Sequence, residues 1–416
     1  MEELRNKIPE GWKLKKISDI GCSYGGLTGK RKDNFGVGSS KYISFLNVLN
    51  NPIINTKILE QVDVKAGEKQ NEVRKGDLFF NTSSETPEEV GICSVLLEEL
   101  CNTYLNSFCF GFRLTDDTIS GLYLAYYFRS KYGRELMTTL AQGATRYNLS
   151  KNNFEKSYIL VPETNSEQNK IALCLSNIDT LIYQLEVLIE KKKAIKQGAM
   201  QELLTGKRRL KGFKEPWEEI KLGKVGEAIR GVSFTPNKTS IVNVPNYIPL
   251  LRSNNISDDR ICYDGIVYVL EDCVSLKQIM REGDILICAA NGSRRLVGKS
   301  GVCHEKGKYT FGAFMCVFRC YPEYNTDYVG YLLQSSQYKK QLEDILTGSA
   351  INNLNGSQVE SLHFTIPTDN TEQRAIASVL QNMDNEIDQL IIKHSKYIAV
   401  KQGMMQQLLT GKIRLI

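Results

Sequence analysis

From Ile171 the chain places apolar residues at Leu175, Ile178, Ile182, Leu185 and Ile189, alternating steps of four and three. Ile376, Leu380, Met383, Ile387 and Leu390 repeat the pattern further on. That spacing predicts two long helices, each with a seam that must bury against another helix. Their starts are marked by Thr164-Asn165-Ser166-Glu167 and Asp369-Asn370-Thr371-Glu372, which both read as capping boxes just after a proline. Run from Glu167 to Thr205, the first helix would be about 55–60 Å long at the usual rise. One chain holding two such helices can satisfy both seams internally, so an antiparallel intramolecular coiled coil is expected in place of a dimer seam. Such a pair would set two globular parts at opposite ends of a rod.

Upstream of each helix the pattern changes. Lys41 to Phe45, Asp77 to Phe80 and Phe108 to Leu114 read as short strands, rich in aromatic and β-branched residues. Their counterparts are Tyr247 to Leu251, Asp284 to Cys288 and Phe314 to Cys320. Leu122 to Leu140 reads as one helix, with Leu124, Tyr127, Phe128, Leu136 and Leu140 near one face. An α+β domain is expected in each half.

The halves are copies. Glu167 to Leu210 aligns without a gap on Glu372 to Leu415 at a shift of 205 residues, and 24 of the 44 positions are identical. Upstream the identities thin: Trp12 matches Trp217, Tyr126 matches Tyr331, and Pro162 matches Pro367. With a brief slip in register, Gly76-Asp77 matches Gly283-Asp284 and Phe112-Arg113 matches Phe318-Arg319. Two copies are too few for a solenoid, so the expected fold is two pseudo-twofold-related globular domains joined by the paired helices. The boundaries read as 1–162 and 209–367 for the domains, with 163–208 and 368–416 for the helices.

Composition narrows the picture only a little. An apolar content of 42 % excludes disorder. A net charge of +6 favours a polyanionic partner mildly. The eleven cysteines include no C-x-x-C pair, so they read as small apolar core residues of a reducing compartment. The densest group, Cys303, His304, Cys316 and Cys320, fits no common zinc template. Met1 to Lys7 does not resemble a signal peptide, and no apolar run approaches the ~20 residues of a membrane span, so the cytoplasm is the expected location.

Catalytic signatures are missing. Asn51-Pro52-Ile53-Ile54 lacks the second proline and the aromatic of an amino-methyltransferase motif. Gly292 to Ser300 looks like a P-loop but carries five residues between its glycines where four are needed, and reads as a loop between strands. No catalytic residue, metal ligand or cofactor is therefore expected in this chain. Lys191-Lys192-Lys193 and Lys207-Arg208-Arg209 are basic runs, either a solvated face or phosphate contacts. Gly198 and Gly403 sit inside the helices at ~1 kcal/mol each, which points to a close backbone approach or to a docking protein.

Pro9-Glu10-Gly11-Trp12, Gly143-Ala144-Thr145 leading to Leu149, Pro162 before Glu167-Gln168, and Leu203-Leu204-Thr205-Gly206-Lys207 together resemble one half of a type I restriction-modification specificity subunit. Pro216-Trp217, Gly348-Ser349-Ala350 with Leu354, Pro367, Glu372-Gln373 and Leu408 to Lys412 resemble the other, so the likeness covers essentially the whole chain. Gly11 has no equivalent before Trp217, and Ala350 stands where the first half has Thr145. The resemblance implies two target-recognition domains reading the halves of a bipartite, asymmetric site in double-stranded DNA. It implies that the paired helices act as a ruler and as the docking surface for two modification (methyltransferase) subunits. Those partners, with restriction subunits where present, would supply S-adenosylmethionine, ATP and Mg; this chain would supply none and catalyse nothing.

Polar loop residues are the expected DNA contacts, since arginine suits guanine edges and asparagine suits adenine edges. In the first half these are Lys30, Arg31, Thr82, Ser83, Ser84, Thr145, Arg146 and Tyr147; in the second, Arg230, Arg252, Asn254, Asn291, Ser293, Arg294, Arg295, Asn352 and Asn353. The acidic loop Glu85 to Glu89 opposes phosphate contact, though a glutamate there can accept from a cytosine amine. The expected subunit-docking residues are Gln168, Gln197, Gly198, Leu203 and Leu204, with Gln373, Gln402, Gly403, Leu408 and Leu409. Two rival readings are a two-headed scaffold that binds only proteins, and a self-contained methyltransferase or nuclease.

Overall fold

The structure, a computed structural model, describes residues 8–347 and 352–416. The readings made on Met1 to Lys7 and on Gly348-Ser349-Ala350 lie outside those residues. The chain forms two compact units, Met1–Glu186 with Ile392–Ile416, and Val187–Ile391. Each unit thus takes one globular part and half of each long helix.

In the first unit a four-stranded antiparallel sheet runs in the order Gly21–Gly25, Cys109–Leu114, Leu78–Asn81, Cys93–Val95. Its counterpart in the second is Gly226–Arg230, Met315–Cys320, Ile285–Cys288, Ser300–Val302. The matched Trp and Pro positions turn out to be direct cross-strand partners, Trp12 opposite Pro162 and Trp217 opposite Pro367. The matched Asp and Arg positions form bidentate pairs. Arg113 donates from Nε and Nη2 to Asp77 at 2.9 and 2.7 Å, and Arg319 donates likewise to Asp284 at 2.8 and 2.7 Å.

The predicted helix from Leu122 to Leu140 is two helices, Gly121–Arg129 and Lys131–Leu140. Ser130 breaks it by adopting extended backbone, and its hydroxyl accepts from the Gly133 amide to cap the second helix. The predicted strand Lys41 to Phe45 ends early, at Ile43, because Phe45–Asn50 turns helical.

The long helices are Asn165–Leu203 and Asn370–Leu408, 39 residues each, or about 58 Å. Within each unit they run antiparallel. In the first, Glu167, Asp179 and Glu186 meet Arg414, Lys401 and His394; in the second, Lys192, Lys196 and Arg209 meet Glu386, Asp384 and Glu372. The predicted seam positions Ile171, Leu175, Ile178, Leu185 and Ile189 are buried, as are Ile376, Leu380 and Ile387, each removal from water worth roughly 1.5–3 kcal/mol, while Ile182, Met383 and Leu390 are only half-buried. Neither capping box forms in full. Thr164 Oγ1 accepts from the Glu167 amide, whereas in the second copy the Asp369 carboxylate accepts from the Thr371 amide and not from that of Glu372. The Glu167 carboxylate turns to Arg414, and Glu372 likewise turns to Arg209. An opposite charge just beyond the end of the other helix outcompetes a neutral amide.

A repeated clamp ties each globular part to both helices. Tyr126 donates to Asp179, and Tyr331 to Asp384, both at 2.8 Å; Lys401 and Lys196 then pair with the same carboxylates at 2.5 and 2.7 Å. Of the basic runs, Lys192, Lys193, Arg208 and Arg209 all have carboxylate partners within this chain.

By length and composition alone the first long helix passes for a membrane span, as core helices of soluble proteins also do. The seam and the ion-paired Asp179 account for part of that helix, while Leu173, Leu181, Tyr183, Val187 and Ile195 remain exposed on it. The cysteines divide: Cys93, Cys109, Cys288, Cys303 and Cys316 are buried as expected, but Cys22 and Cys101 are exposed and the rest half-buried. Burial pushes the Cys109 and Cys316 thiols up to about 12. Among the described residues no three His, Cys, Asp or Glu side chains converge as a metal site.

Candidate nucleic-acid interface

Each unit opens a cleft at matching loops. In the first, Phe45, Ser83, Ser84, Glu85, Glu89, Thr145 and Arg146 line about 490 Å³. In the second, Arg252, Asn254, Asn291 and Asn352 share about 900 Å³ with Phe234 and Phe314. Eight of the seventeen expected contacts are thereby gathered, four per cleft.

The walls of the first cleft follow from local chemistry. Ser83–Ser84 pairs with Tyr147–Leu149, setting Ser84 opposite Tyr147 and Ser83 opposite Asn148. The buried Asn81 pins the loop after it, donating to the Ser83 and Glu89 carbonyls and accepting from the Ile92 amide. Gly143 closes the facing loop at φ +143°, where an added Cβ would lie 2.1 Å from the Arg146 carbonyl oxygen. Behind Phe45, the Arg129 guanidinium donates to the carbonyls of Val48, Leu49 and Asn51; burial lowers it to about 10. Ser84 donates to Glu89 at 2.9 Å, so this cleft presents two carboxylates beside a single arginine.

The second cleft is built differently. Asn255, fully buried, accepts from the Arg252 amide and donates to the Cys262 and Asp264 carbonyls. This holds Arg252 and Asn254 exposed on a short 3-10 turn. Asn291 donates to Ser253 at 3.2 Å, and Asn352 bridges to the Gly292 carbonyl. One cation and three amides face the opening, with no carboxylate among the lining residues.

The other expected contacts fall elsewhere. Lys30 is already paired with Glu68 and donates to the Asp63 carbonyl, its side chain almost wholly buried. Arg294 donates to Thr347 at 2.7 Å and to the Glu343 carbonyl, so it is held on a helix rather than in the cleft. Thr82 supports the fold: its amide donates to the Phe108 carbonyl, and its carbonyl accepts from Leu149. Arg31, Tyr147, Arg230, Ser293, Arg295 and Asn353 do not line either cleft.

Six of the ten expected docking residues are internal. Gln168, wholly buried, accepts from the Ser120 amide and donates to the Thr118 and Pro162 carbonyls, and Gln373 makes the matching bonds to Asn325 and Pro367. Leu203 and Leu204 complete the core of the second unit, Leu408 and Leu409 that of the first. Gln197, Gly198, Gln402 and Gly403 are exposed. A Cβ added at either glycine meets nothing within 4 Å, so among the described residues no close backbone approach explains them.

Sequence reasoning passed over Phe45, Phe108, Phe234 and Phe314. Phe108 and Phe314 occupy the same place in the two copies, and that coincidence was the available signal.

The chain is 26 % identical over 199 residues to the EcoKI specificity subunit of Escherichia coli, covering 48 % of this chain and 43 % of that relative. It is thus matched to less than half of that protein's length. It is 26 % identical to the putative MjaX specificity subunit of Methanocaldococcus jannaschii, over 98 % of this chain and 95 % of that one. Its fold is similar to the S subunit from M. genitalium, with a TM-score of 0.59 at 15 % identity, covering 97 % and 96 % of the two chains. Residues 9–197 and 214–396 each match the type I restriction modification DNA specificity domain, and the chain belongs to that family.

Proposed function

We propose that this chain is the DNA-reading, non-catalytic specificity subunit of a type I restriction-modification complex, with residues 1–162 and 209–367 each reading half of a bipartite, asymmetric site. The carrying observation is the pair of clefts, placed at matching loops but lined by different chemistry. Arginine and asparagine in the second suit purine edges, whereas Glu85 and Glu89 in the first suit cytosine amines and repel phosphate. The helices, 163–208 and 368–416, would fix the unread spacer and dock two modification subunits, which bring S-adenosylmethionine; restriction subunits would add ATP and Mg.

The test is selection of bound duplexes from a random-sequence pool by the full chain, with and without its modification subunits. A two-part motif with a fixed spacer is the expected result; recovery of no motif in either case overturns the reading. Arg252→Ala should then relax one position of one half-site by roughly 1–3 kcal/mol with an unchanged salt slope. Arg294→Ala, whose guanidinium is already occupied, should change specificity far less. Affinities for single-base variants at two salt concentrations separate these outcomes.

The exposed helical glycines suit subunit docking. Gly198→Ala and Gly403→Ala should each raise the stability of the isolated chain by up to ~1 kcal/mol, because nothing here opposes the methyl group. The same substitutions should weaken assembly with the modification subunits, measured by titration calorimetry. Unchanged assembly would remove the glycines from the interface.

A further inference from the structure

We propose that Phe108 and Phe314 are the apolar base-contacting residues of the two readers, each ring packing against bases of its own DNA half-site. The proposal rests on the DNA-reading function above and names the groups through which it acts.

Of the fifteen phenylalanines, all among the described residues, Phe108, Phe234 and Phe314 are the most exposed, at 55 %, 37 % and 72 %. A single exposed aromatic needs no explanation. Two at one position of a duplicated domain do, because each leaves more than half of a large apolar ring in water. The turns that carry them differ in every other residue, Asn106-Ser107-Phe108 against Gly312-Ala313-Phe314.

Their backbone scaffold is nevertheless the same. Asn106 and Gly312 donate to the carbonyls of Ile43 and Leu251 at 3.0 Å in both copies. Cys109 and Met315 donate back to Asn106 and Gly312. The carbonyls of Phe108 and Phe314 accept from Thr82 and Ala289, at the end of the neighbouring strand. Each turn is thus fixed at both ends, and the ring stands on a rigid support.

The position of each ring points to its ligand. Phe314 lines the second cleft with Phe234, Ala313 and Met315, and Arg252, Asn254, Asn291 and Asn352 share the same walls. The Arg146 guanidinium of the first cleft lies 5.9 Å over the Phe108 ring. An apolar ring among hydrogen-bonding groups matches a nucleic-acid groove, where bases offer methyl groups and faces as well as polar edges.

The experiment uses the full chain with the motif recovered from the random duplex pool, and a scrambled duplex of equal length. Phe108→Ala and Phe314→Ala should each lower affinity for the motif roughly tenfold, with affinity for scrambled DNA and the salt slope unchanged. Relaxed base preference should be confined to one half-site, a different one for each variant. Both thermal midpoints should match the wild type, since neither side chain is buried. If the wild type recovers no motif, the DNA-reading function itself fails. If it recovers one and both variants bind it with wild-type affinity and preference, only the base-contact proposal is overturned. Loss of modification-subunit binding with intact DNA affinity would also overturn it, by making the ring a protein contact.

Discussion

Asp284→Ala is expected to destabilise the second unit by about 3–5 kcal/mol. Its carboxylate is almost wholly buried and accepts two bonds from Arg319, itself only about a tenth exposed. Removing the carboxylate leaves the guanidinium uncompensated, with only the Lys277 and Ile279 carbonyls as partners. Asp77→Ala in the first unit should cost less, because Arg113 is 28 % exposed and water can replace part of the pairing. The consequence reaches the cleft. Asp284 precedes the Ile285–Cys288 strand that leads to Asn291, and Arg319 lies on the strand that follows Phe314. Denaturant unfolding of the full chain checks this; a change near 0.5 kcal/mol, typical of a surface site, would show the pair to be solvated.

Phe154→Ala should cost the first unit about 3–5 kcal/mol by leaving a cavity that rigid neighbours cannot fill. Its ring is fully buried, with centroids 4.9 Å from Phe80, 5.6 Å from Phe110, 5.5 Å from Phe112 and 5.7 Å from Phe128. The short helix Lys151–Lys156 that carries it follows directly on the Tyr147–Leu149 strand, next to Thr145 and Arg146. Weaker affinity should therefore accompany the lost stability, and only at the first half-site. Phe154→Leu, which keeps much of the volume, should cost markedly less in both. Equal weakening of both half-sites would mean that the cluster supports more than its own reader.

The amino-acid pattern by itself determined the duplication, the two long helices and their buried seams. A seam at coiled-coil spacing has to be covered, and Ile171, Leu175, Ile376 and Leu380 are completely or almost completely buried. It also marked Trp12, Pro162, Asp77 and Arg113 as matched positions without revealing that they pair, because pairing joins residues 150 and 36 apart along the chain. Leu203, Leu204, Leu408 and Leu409, with Gln168 and Gln373, carry the strongest local signal of the repeat, yet all six are buried. Their burial arises because each globular core is closed by both helices, a long-range event that local periodicity does not encode. The same holds for the clefts. Lys30 and Arg294 look like free cations in sequence, but Glu68 and the helix ending at Thr347 hold them. Only the tertiary structure brought Ser83 to Arg146, and Arg252 to Asn352. Contacts between loops depend on how the sheet beneath them is ordered, and strand order is set by packing across the whole unit.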